Sequence, residues 1–140
     1  MPTSLSAAHV NVGDELPPLL LAPVNRTTLA LFAGASGDHN PIHIDSDFAR
    51  AAGMADVFAQ GMLGMAWLGR LLTNWAPQRD VRALNVRFQA ITNLGDTIRC
   101  TGRVIEKLEQ DGATLARVAV QSANESGEVK IAGEALVVLH

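Results

Sequence analysis

At 140 residues the chain has the length of one ordinary domain, and 48% hydrophobic residues can fill its core without disulfides or a structural metal. A net charge of −3, with the eleven Lys and Arg scattered mostly singly, excludes the basic footprint of a nucleic-acid binder. The single cysteine, Cys100, excludes an internal disulfide and reads as a small hydrophobe in a strand of a protein from a reducing compartment.

The N-terminal stretch MPTSLSAAHVNVGDEL has no cationic start and no long apolar run, so it is not a signal peptide. Residues 16 to 24, LPPLLLAPV, carry three prolines and fit only a strand or an irregular extended segment. From Asn25 onward, RTTLALFAGAS places Leu29, Phe32 and Ala33 on one helical face, with Asn25 or Thr27 available as N-cap. SDFARAAG predicts a short helix capped by Asp45 or Ser46 and ended by Gly53.

Residues 60 to 75, QGMLGMAWLGRLLTNW, set Met62, Met65, Ala66, Leu68, Leu71, Leu72 and Trp75 around most of a helical circumference, which predicts a buried central helix. Gly61, Gly64 and Gly69 lower its intrinsic propensity by roughly 1 kcal/mol each, and their expected use is close approach to a neighbouring backbone. Arg70 and Asn74 interrupt it, and it falls short of the roughly 20 apolar residues of a membrane span, so no membrane partner and a cytoplasmic location are expected. The second half changes period. RALNVRFQAI, TIRCTGRVIEKLE, ATLARVAVQSA and VKIAGEALVVL alternate apolar and polar residues, with LGD, QDG and ESGE as the joints and the last two as hairpin turns. Helices followed by a run of strands give an α+β domain spanning residues 1 to 140, its antiparallel sheet wrapped on the buried helix.

One stretch resists this apolar pattern. SGDHNPIHID packs Asp38, His39, His43 and Asp45 into eight positions around Asn40-Pro41. His39 and His43 have the four-residue spacing of two ligands on a helix face, but Pro41 forbids a helix interior there and only His9 and His140 remain as further histidines. No metal is expected. As a plain helix-ending loop the stretch is ordinary turn chemistry. Alternation would turn His43 to one side while Ile42 and Ile44 anchor the segment on the core, leaving an imidazole near a carboxylate as an acid–base pair.

FAGASGDHNPIHIDSDFARAAG resembles the hydratase-2 signature of the MaoC-like family of (R)-specific enoyl-CoA hydratases and 3-hydroxyacyl-thioester dehydratases. AQGMLGMAWLG resembles that family's His-Gly-Met helix start and NVRFQAITNLGDTI its Arg/Lys-Phe…Gly-Asp strand pair, in order along nearly the whole chain. With LTNW and NVRF, the likeness points towards the catalytic subunit of mycobacterial-type 3-hydroxyacyl-ACP dehydratases.

The resemblance implies a hot-dog fold and reversible syn addition of water to a trans-2-enoyl thioester carried by CoA or acyl carrier protein, with no cofactor. It implies that Asp38 and His43 hold and deprotonate the water, and that the Gly61 N–H at a helix start meets the charge building on the thioester oxygen. Asn40 is read as a loop organiser, and Gln60 and Met62 as further residues near the substrate. Phe58, Met62, Met65 and Trp67 are the candidates to line an acyl tunnel. The chain departs from the pattern at Gln60, where the family usually has His, at Gly69, where some members carry Ser, and at Ile91, which replaces a proline. A non-catalytic acyl-thioester-binding subunit would be expected to lose Asp38 or His43. A hot-dog thioesterase would place a carboxylate on the central helix, and residues 61 to 75 contain none. A homodimer is expected, with a paralogous hot-dog subunit as the alternative partner, joined where VRALNVRF or RVAVQ could extend a partner's sheet.

Overall fold

The computed structural model describes residues 1 to 140. Strand β1 (Leu19–Leu20) is followed by helices α1 (Arg26–Ser36), α2 (Ser46–Ala51) and α3 (Gly61–Trp75), then by strands β2 (Val81–Phe88), β3 (Arg99–Gln110), β4 (Ala113–Ala123) and β5 (Val129–Leu139). The strands form one antiparallel sheet in the order β1-β3-β4-β5-β2. It curls around α3 as the hot-dog resemblance implies.

Local chemistry sets the boundaries. Asn25 caps α1 by accepting the Thr28 N–H at 2.9 Å, and Gly37, at φ +77°, closes it in the left-handed conformation. Asp45 caps α2 through the Asp47 and Phe48 amides. Asp111 and Gly112 both have positive φ, the two-residue turn whose twist suits the β3–β4 hairpin. In the proline-rich stretch 16 to 24 only Leu19 and Leu20 pair in a regular ladder as β1.

Register organises the core. Leu19, Cys100, Ser122, Ile131 and Phe88 are successive cross-strand partners, one row running across all five strands. This row lies under the first turns of α3: a Cβ at Gly61 would come 3.1 Å from the Phe88 ring, and one at Gly64 2.6 Å from Ile131 Cδ1. The helix glycines therefore admit side chains of the sheet, not a second backbone, and Gly69 faces open space. Leu63, Trp67, Leu68, Leu71 and Leu72 complete the buried face, each fully buried aliphatic worth roughly 1.5–3 kcal/mol.

Three expectations need correction. The helix is not buried all round: Met62 is 57% exposed and Ala66 is also exposed, because a single sheet covers only one side of it. RVAVQ lies on β4, the middle strand, and offers no free edge; β2 is an edge, paired solely with β5. Residues 41 to 43 form a 3-10 turn and not an extended segment, so Ile42 packs on the core while Ile44 is 46% exposed.

Candidate active site

Residues 37 to 45 form a sequence of caps that fixes two side chains. The Asp38 N–H donates to Ser36 Oγ at 3.1 Å, and the Asn40 N–H donates to Asp38 Oδ1 at 3.3 Å. Asn40 Oδ1 in turn accepts the Ile42 N–H at 3.1 Å, starting the 3-10 turn with Pro41 in its first position. The turn swings His43 inward. Its Nδ1 lies 2.7 Å from the Phe58 carbonyl oxygen and its ring meets the Phe58 ring edge-on, with centroids 4.9 Å apart.

A carbonyl can only accept, so Nδ1 carries the hydrogen and Nε2 of the neutral ring is left as an acceptor. Nε2 faces Asp38 Oδ2 at 3.9 Å. That gap exceeds a direct hydrogen bond, and one water between the two acceptors can donate to both. The His43 side chain is 12% exposed and that of Asp38 43%, so the pair sits at a surface opening.

Phe58 leads from this pair to the start of α3. Residues 58 to 60 are held by a Phe58–Asn93 bridge and by Ala59 N–H donating to Thr92 O at 2.9 Å. Gln60 is the N-cap residue yet caps nothing with its side chain. It is 1% exposed, its Nε2 donates to Leu29 O of α1 at 3.0 Å, and its Oε1 is buried without a partner. Gly61 follows as the first residue of the helix, and its N–H donates to no protein acceptor. A free N–H at the positive end of a 15-residue helix can stabilise a developing oxyanion.

A cavity of ≈310 Å³ is lined by Phe58 to Gly61, Gly64, the segment Phe88 to Thr92, and Ile131; Asp38, Asn40 and His43 do not border it, and His43 meets it only through Phe58. Met62 turns to solvent and does not border it, nor do Met65 and Trp67. A larger hollow of ≈440 Å³ beside Glu15, Arg99 and Arg103 includes none of the residues named for the site.

Two ionic anchors that sequence reading passed over hold the site together. Asp56 accepts from Ser46 Oγ and the Val57 N–H, both at 2.7 Å, and pairs with Arg26 and with Arg50 at 3.2 Å. The Ser46 and Val57 hydrogen bonds, with Arg26, bring its pKa down to about 2. Lys130, 1% exposed, is the other anchor. It donates to the Ile91 carbonyl at 2.7 Å and pairs with Glu128 and with Asp96 at 3.3 Å, while its own carbonyl accepts from Gln89 and Ala90. Burial works against its charge, but the two carboxylates outweigh burial and raise its pKa. The second half of the cavity wall is thus tied to β5. No group of three or more His, Cys, Asp or Glu side chains converges as a metal site. His39 is exposed and apart from the pair.

Residues 10–126 match the sequence profile of the MaoC like domain. The chain is 31% identical over 126 residues to an (R)-specific enoyl-CoA hydratase of Rhodospirillum rubrum, covering 86% of this chain and 83% of that one. The R-hydratase PhaJ1 of Pseudomonas aeruginosa superposes with a TM-score of 0.83 at 27% identity, over 98% of this chain and 87% of that one. A chain of the ChsH1-ChsH2 complex from Mycobacterium tuberculosis does so with a TM-score of 0.79 at 26% identity, over 93% and 98%.

Proposed function

The chain belongs to the MaoC-like family, a hydro-lyase family of the hot-dog fold, and from that premise we propose that Asp38, His43 and the Gly61 amide add water reversibly across trans-2-enoyl thioesters. The observation that carries this reading is the pair of acceptors, Nε2 and Oδ2, 3.9 Å apart, with His43 seated on Phe58, which lines the same cavity as the helix-start Gly61. In the hydration direction the water oxygen bonds C3 of the enoyl group while one of its protons passes to the pair. Negative charge moves through C2 to the thioester oxygen, where the Gly61 N–H meets it. A proton returned from the pair to C2 on the same face completes syn addition. The tautomer fixed by Phe58 makes Nε2 the proton acceptor, with Asp38 orienting the water and stabilising the imidazolium. Asn40 organises the loop, and Gln60 fastens the start of α3 to α1.

The substrate carrier is CoA or acyl carrier protein, and residues 1 to 140 act as one domain in the cytoplasm. No helix is long and apolar enough to cross a membrane. The partner is a second copy of the chain or a paralogous hot-dog subunit; the likeness to a chain from a two-component complex supports the second. The test is spectrophotometric hydration of crotonyl-CoA with the chirality of the product determined. Formation of the (R)-3-hydroxy thioester supports the assignment, and an enzyme that only cleaves the thioester bond sinks it.

A further inference from the structure

We propose that Ile131, seated on the Gly64 backbone, closes the inner end of the cavity and restricts the enzyme to short-chain enoyl thioesters. This rests on the hydratase reading and adds the substrate class. The Gly61 N–H and Phe58, which holds His43, lie on the cavity lining, so the reacting carbonyl sits on that side. The acyl tail must then run inward between the first turns of α3 and the cross-strand row beneath. The remaining wall suits such a tail, since Ala59, Gly64, Ala90, Ile91 and Ile131 present little beyond hydrocarbon.

Ile131 sets how far the tail can go. Its Cδ1 would stand only 2.6 Å from a Cβ at position 64, so in the native protein it packs directly on the glycine. Ile131 is 3% exposed, and its cross-strand partner Ser122 is buried with it. The thioester group uses part of the ≈310 Å³ cavity, which leaves room for only a short tail. The volume is also at the low end of the roughly 300–1,000 Å³ found for ligand pockets.

The experiment compares kcat/KM for crotonyl-, trans-2-hexenoyl-, trans-2-octenoyl- and trans-2-dodecenoyl-CoA. The wild type should lose at least about tenfold between the hexenoyl and octenoyl thioesters, the scale on which a pocket discriminates added methylenes. Ile131→Ala should raise the octenoyl-to-crotonyl ratio at least about tenfold. Ile131→Val should raise it less, and it serves alone if the alanine variant does not fold. Gly64→Ala should push Ile131 into the cavity and lower the hexenoyl-to-crotonyl ratio, and adding Ile131→Val should restore it. Wild-type turnover of the dodecenoyl thioester equal to that of crotonyl-CoA would overturn the proposal, as would an unchanged ratio in folded Ile131 variants. Failure on every chain length is a different result: it defeats the hydratase reading and the proposal with it.

Discussion

At the scale of single residues, the proposed reaction depends on two acceptors sharing one water and one amide left free. Asp38→Asn and His43→Ala should each lower hydration by about 10²–10⁴ while leaving the circular dichroism spectrum native. Because both act on the same water, the double variant should lose little more than either single one. Near-wild-type turnover by either variant removes it from the reaction. The amide can be tested separately from its side-chain space. Proline is well tolerated at the first helical position, so Gly61→Pro should fold yet lack the N–H. Its ring also approaches Phe88, as any Cβ there would at 3.1 Å. Gly61→Ala introduces the same crowding and keeps the donor. We expect the proline variant to fall at least about tenfold below the alanine variant in kcat, within the range measured for lost oxyanion donors. Equal kcat values would move the oxyanion contact elsewhere.

At the scale of elements, the strands and helices follow from period and caps, and those signals are local. Asn25, Asp45 and Asp111-Gly112 show in the sequence because each acts within a few residues of itself. The pairing of Asp38 with His43 was legible through the family signature, and Pro41 keeps His39 and His43 off one α-helical face. What could not be read is which distant element completes them. Phe58, which fixes the His43 tautomer, is 15 residues away, and Lys130 bonds Ile91 across 39. Asp56 looks like any surface aspartate until Arg26, Ser46 and Arg50 converge on it. That convergence has a pH signature. Its folded pKa of about 2 lies below the ordinary carboxylate value, so its contribution is complete above about pH 4 and is lost as pH falls towards 2. Asp80 acts in the same direction. Burial pushes its pKa up, but hydrogen bonds from His140 and Ser4 and the His140 and Arg79 charges bring it below its usual value. Urea midpoints of the wild type should therefore decline from pH 4 to 2, and Asp56→Asn should flatten part of that decline. An identical slope in the variant would show that the clamp contributes nothing to stability.

At the scale of the whole molecule, one side of the domain is unfinished. Strand β2 pairs only with β5, so the N–H and C=O groups along its outer edge are free, and Phe88 at its end is 53% exposed. Beside it, α3 presents Met62 and Ala66 to solvent, the part of its apolar circumference that the sheet does not reach. A second copy related by a two-fold axis would pair β2 with β2 and cover both helices at once, the isologous arrangement commonest among oligomers. Segment 88–92 lines the cavity and continues directly from β2, so such a partner would stand at the cavity mouth and shape it. The wild type should therefore have a dimeric mass by light scattering at micromolar concentration. Ala66 lies on the exposed helix face and outside the cavity lining, so Ala66→Glu should keep the monomer fold while placing two carboxylates against each other across the interface. We expect a monomeric mass and a loss of hydration together, because the cavity wall would lose its support. A wild-type monomer with full activity would show that the edge of β2 and the face of α3 serve no partner. A monomer activated only by a paralogous subunit would assign the same surface to a heterodimer.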